Sequence, residues 1–128
     1  MATLAQSIKH TATLDNGEVY TNTVSTKTVT LTAGGNAHKT TQEVTTSFLA
    51  LQVGAVPITA TNDYFVTVRN TSNTDGVLLY INFSTSTAGS EFLVLDAGEH
   101  AGFPVKGGVN VFLRGSVALD AEVTVVGA

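Results

Sequence analysis

The chain has 128 residues, enough for one domain, and only 12% of them are charged while 43% are hydrophobic. Six basic residues against ten acidic ones give a net charge of −4. Lys9, Lys27, Lys39, Arg69, Lys106 and Arg114 are scattered singly, which excludes the clustered cationic surface that a nucleic-acid binder needs to displace phosphate counterions. Cysteine is absent, so disulfides, thiolate metal sites and cysteine nucleophiles are excluded as well.

In place of charge the chain carries 21 threonines and 17 valines. Both are β-branched and suit a pleated, half-buried surface better than a helix. The composition is that of an all-β protein. Residues 1–13 are small and polar, with Leu4 and Ile8 the large apolar side chains after Met1. Their i, i+4 spacing fits one amphipathic helical turn, and an extended arm fits equally well. The start MATLAQSIKHTATLDNG lacks a basic stretch followed by an apolar one, so no signal peptide is expected and synthesis in the cytoplasm is. No apolar run approaches the roughly 20 residues of a membrane helix.

From Leu14 onward the punctuation is that of strands and turns. Asp15-Asn16-Gly17 is a tight-turn signal, because Asn and Gly tolerate positive φ. The next Val/Thr run changes phase near Val24 and Ser25, which predicts a bulge or a break. Gly34-Gly35-Asn36 predicts another turn, and residues 43–54 predict one extended segment. Pro57 demotes the segment after it to an edge or a loop. DYFVTVRN alternates Phe65 or Tyr64 with Val66 and Val68, and GVLLYINF, EFLVLDA, GEHAGFPV, VNVFLRG and AEVTVVG then recur at about ten-residue intervals, which is the spacing of a sandwich or barrel. The expected architecture is an all-β, antiparallel β-sandwich, jelly-roll-like, with eight or nine short strands. It has residues 1–13 as an arm or short helix and 14–128 as the sandwich domain. Phe112 and Leu93 are expected in its core.

The residues offer little chemistry. Ser90 and Ser116 each follow a glycine at turn-like positions, and no nucleophile-elbow motif is present. His10, His38 and His100 show no zinc-ligand spacing. Asp96-Ala97-Gly98-Glu99-His100 is the densest polar cluster and reads first as a turn, with Asp96 capping its own backbone and Gly98 supplying positive φ. Asn70-Thr71-Ser72 and Asn82-Phe83-Ser84 match glycosylation sequons, as chance allows in a chain so rich in Thr, Ser and Asn. No catalytic, cofactor-binding or metal-ligating residue is assigned, and no cofactor is expected.

Several stretches together resemble small β-rich accessory virion proteins of tailed bacteriophages. They are TTQEVTTSFLALQVGAV with its Ala50-Leu51-Gln52-Val53-Gly54 segment, a strand ending in Arg69-Asn70, the turn from Asp96 to Glu99, and the Phe103-Pro104 step. The resemblance covers roughly residues 40–126 and implies a non-enzymatic structural role, most simply a capsid decoration or cement protein on the outer surface of the head. It implies the major capsid protein or other virion proteins as partners, and neither nucleic acid nor membrane. A homo-oligomer is expected, a trimer first. Leu4, Ile8, Lys9 and His10 of the N-terminal segment are the candidate capsid or subunit interface. The alternatives are a tail, neck or baseplate component, and a ligand- or carbohydrate-binding β-sandwich module.

Overall fold

The structure, a computed structural model, describes residues 2–31, 36–56, 58–83 and 91–127. Every regular element among them is a β-strand: β1 (Ala2–Thr13), β2 (Val19–Leu31), β3 (Asn36–Val44), β4 (Leu49–Ala50), β5 (Tyr64–Asn70), β6 (Leu79–Phe83), β7 (Leu93–Leu95), β8 (His100–Val105), β9 (Val111–Gly115) and β10 (Leu119–Gly127). They fall into two compact units, residues 1–35 and 36–128. The division expected at 13/14 therefore lies at 35/36, because residues 2–13 are one half of a hairpin whose other half is β2.

In the first unit β1 and β2 pair antiparallel from Ala2↔Leu31 to Thr13↔Val19. The Asp15-Asn16-Gly17 turn closes them as expected. Gly17 sits at φ 85°, its N–H donates to the Leu14 carbonyl at 2.9 Å, and the Asn16 side chain accepts from the Glu18 N–H at 3.1 Å. The register steps from Gln6↔Lys27 to Ile8↔Val24, leaving Ser25 and Thr26 opposite Ser7 alone. The phase change at Val24–Ser25 is thus a bulge within one long strand. The Gly34-Gly35 turn and Pro57 lie outside the described residues.

The second unit is an antiparallel sandwich of two four-stranded sheets, ordered β3-β10-β5-β8 and β4-β9-β6-β7. Its pairs are nested: β3 with β10, β4 with β9, β5 with β8 and β6 with β7. The chain thus runs out along β3–β6 and returns along β7–β10 as a double ribbon, rolled so that β10 also meets β5 and β9 meets β6. That path is consistent with the jelly-roll-like arrangement expected. Period-two alternation points one face of each sheet inward. Val66, Val68, Val123 and Val125 come from one sheet and Leu79, Ile81, Val111 and Leu113 from the other, and all are buried in a common core. Each such side chain stabilises the fold by roughly 1.5–3 kcal/mol. Tyr64 joins them, its hydroxyl donating to the Val109 carbonyl, and burial pushes its phenol pKa up.

Two expectations are corrected here. Residues 43–54 form no continuous strand, because the Thr45 hydroxyl accepts from the Ser47 N–H at 3.2 Å and turns the chain from one sheet to the other. Phe112 does not join the core: Val111 and Leu113 take the inward positions, so alternation sets Phe112, half-buried, on the opposite face. Leu93 does pack against the core, partly buried.

Candidate interaction surfaces

Side-chain amides tie the sandwich together at two points. Gln42 is 2% exposed and bridges the sheets where β3 gives way to β4; its amide donates to the Ala50 carbonyl at 3.0 Å and accepts from the Gln52 N–H at 2.9 Å. Asn70 is fully buried at the end of β5. Its amide donates to the Val77 and Leu95 carbonyls at 2.8 and 3.1 Å and accepts from the Ser72 N–H at 3.1 Å. Asn82 is buried too, so both sequon asparagines are out of reach of a modifying enzyme in the folded chain.

The Asp96–Glu99 cluster is a turn. The Glu99 N–H donates to the Asp96 carbonyl at 3.0 Å, and the Glu99 carboxylate accepts from the Asp96 N–H at 2.7 Å. The Asp96 carboxylate accepts from the Ala97 N–H, and Gly98 takes φ 79°. Both carboxylates are thereby engaged with backbone. Ser116 forms another joint, its hydroxyl accepting from the Leu78 N–H at 2.9 Å; Ser90 lies outside the described residues. Among the described residues no group of three or more His, Cys, Asp or Glu is placed to hold a metal ion.

On the outer face of the β4-β9-β6-β7 sheet, Arg114 lies over the Tyr80 ring at 4.2 Å and the Phe48 ring at 5.4 Å, and donates to Glu91 at 2.7 Å. Both members of this ion pair are mostly buried, so it is held more firmly than a surface pair. Nothing local announces it, since the partners are 23 positions apart and meet only through the topology.

The outer face of the other sheet carries a shallow depression of about 470 Å³ lined by Thr67, Arg69, Gly98, His100, Glu122 and Thr124. Glu122, Arg69 and His100 face one another across β10, β5 and β8. Glu122 lies 4.0 Å from Arg69 and 3.7 Å from Lys39. All three ion-pair members are well exposed, and pairs of this kind contribute about 0–1 kcal/mol each. The depression is open to solvent, and its lining is polar and apolar in about equal measure.

The hairpin holds the four residues singled out from sequence. Leu4, Ile8 and His10 share one face of β1 and Lys9 points to the other, since alternation separates neighbours. Three aligned pairs, Leu4↔Val29, Ile8↔Val24 and Ala12↔Tyr20, set apolar positions opposite one another. The interleaved pairs include Thr3↔Thr30, Lys9↔Thr23 and Thr11↔Thr21. Leu4 is half-buried, while Ile8 is 43% and Tyr20 60% exposed.

Fold and surfaces together define an all-β protein of two units, a long hairpin and an antiparallel sandwich. Compared with protein-family models, with curated proteins and with solved structures, the chain matches none.

Proposed function

We propose that this chain is a non-enzymatic virion structural protein, a decoration or cement protein that attaches to the capsid lattice of a tailed bacteriophage and stabilises the head. The observation that carries the reading is the hairpin. Residues 2–31 form a two-stranded ribbon whose one face carries the apolar pairs Leu4↔Val29, Ile8↔Val24 and Ala12↔Tyr20 with the polar pairs Gln6↔Lys27 and His10↔Asn22 between them, and Ile8 and Tyr20 on that face are exposed. A lone two-stranded ribbon is marginal in water, whereas one laid on another protein surface buries its apolar face and stays ordered. The sandwich, with its sealed core, serves as the rigid body that the ribbon fastens. Partners of this design are the major capsid protein and further copies of the chain on the outer surface of the head.

The test is to count and locate the protein in purified particles of the virus that encodes it, by quantitative mass spectrometry and antibody labelling. Hundreds of copies spread over the head are expected. A few to a dozen copies at the neck or tail would replace decoration with the adaptor reading, and absence from the particle would reject both. The depression around Arg69, His100 and Glu122 favours a second reading, a ligand-binding module. Binding to a glycan array that Arg69→Ala abolishes would support it.

A further inference from the structure

Among the described residues the sandwich has four sheet edges, β3 and β8 in one sheet and β4 and β7 in the other. Exposed edges invite pairing with other chains, and proteins blunt them with short strands and proline. Three edges here are blunted: β4 has two residues, β7 has three, and β8 carries Pro104, which has no N–H to offer. β3 has nine residues, no proline, and β10 as its one neighbour among the described residues. Lys39, Thr41 and Glu43 on its outer face are exposed, whereas Gln42 and Val44 on the inner face are buried.

We propose that β3 pairs edge to edge with β3 of a second copy of this chain, antiparallel and centred on Thr41, so that two four-stranded sheets join into one of eight strands about a two-fold axis. Residues opposite each other in an antiparallel pair share a face, so outer positions must meet outer positions and inner must meet inner. Centring on Lys39 would set two ammonium groups against each other, and centring on Glu43 would do the same with two carboxylates. Centring on Thr41 sets Lys39 opposite Glu43 of the second copy, and the two-fold repeats the pair. Lys39 is only loosely held within its own chain, 3.7 Å from Glu122 with its side chain 72% exposed, so its ammonium can reach across the edge. The overlap runs over residues 38–44 of each copy. Such an interface is smaller than the roughly 1,600 Å² of a standard complex, so association is reversible and depends on concentration.

This pairing is a property of the purified chain and stands apart from the virion reading. Sedimentation equilibrium of the full chain over a wide concentration range tests it, with Lys39→Glu, Glu43→Lys and the double reversal alongside. Both positions are exposed, and circular dichroism melts verify that each variant keeps its fold. The wild type should move from 13.2 kDa towards twice that mass as concentration rises. Each single reversal places like charges opposite each other twice and should weaken the dimer about tenfold, and the double reversal should restore it. A wild type that stays monomeric, a trimer, a dimer indifferent to the single reversals, or a double reversal that restores nothing would each overturn the proposal.

Discussion

The hairpin and the sandwich are made of the same material and end differently. β2 and β10 are both long antiparallel strands with three valines each, β2 adding five threonines and β10 one. In β10 every second residue from Ala121 to Val125 is fully buried, because a second sheet lies beneath it. In the hairpin no third strand among the described residues joins the pair, and Ile8 and Tyr20 stay exposed. Alternation decides that a segment is a strand. Closure decides whether its apolar face becomes a core or a surface available to others. In this chain closure comes from pairings far apart in sequence, such as β3 with β10 and β4 with β9.

The sharpest way to probe the closed half is inside β9, where neighbouring residues point to opposite faces. Leu113→Ala, at a fully buried position, should cost about 2–5 kcal/mol in urea unfolding. Phe112→Ala should cost less than half as much, and equal losses would mean the register of β9 is wrong. Asn70→Ala removes the amide that satisfies the Val77 and Leu95 carbonyls and should cost about 2–3 kcal/mol in the same assay. At the turn between β7 and β8, Gly98→Ala places a side chain at φ 79° and should lower stability by about 1 kcal/mol.

A smaller effect is expected with pH. Lys106 donates a hydrogen bond to the Asp63 carboxylate at 2.7 Å and the Gly107 N–H adds another at 3.0 Å, so the Asp63 pKa lies below the usual carboxylate range. A carboxylate whose pKa is lower in the folded state than in the unfolded one stabilises the fold at neutral pH. That contribution fades as pH falls below the unfolded value of about 4 and on through the folded one. Asp63→Asn should therefore melt slightly below wild type at pH 7, with the gap closing on acidification below about pH 4. A gap that persists there would show that the ion pair is not its source.

The second half of the chain was the most legible from sequence, because its strands are short apolar runs set off by Gly, Asn and Asp. The hairpin turn at Asn16-Gly17 and the bulge at Val24–Ser25 were legible for the same local reasons. The strand before that turn was not. Leu4 and Ile8, four residues apart, fall on one face of a helix and of a strand alike, and only the pairing with Val29 and Val24 distinguishes them. The orientation of Phe112 is not legible locally, because VNVFLRG is apolar at consecutive positions and leaves its phase open. The break between β3 and β4 depends on one threonine hydroxyl. Gln42, Asn70 and the Arg114–Glu91 pair acquire their roles from partners that only the folded chain supplies. Of the four interface candidates, Leu4, Ile8 and His10 do share a face, while Lys9 belongs to the other side.

The central claim is that the sandwich supplies the rigid body and the hairpin the attachment. Co-sedimentation with heads stripped of this protein, comparing wild type with Ile8→Asp, tests it most directly. Ile8 is exposed, so the variant should match wild-type stability to within about 0.5 kcal/mol. Wild type should saturate the heads while Ile8→Asp, folded equally well, stays in the supernatant. A variant that binds as wild type does, or a wild type that does not bind at all, would contradict the account.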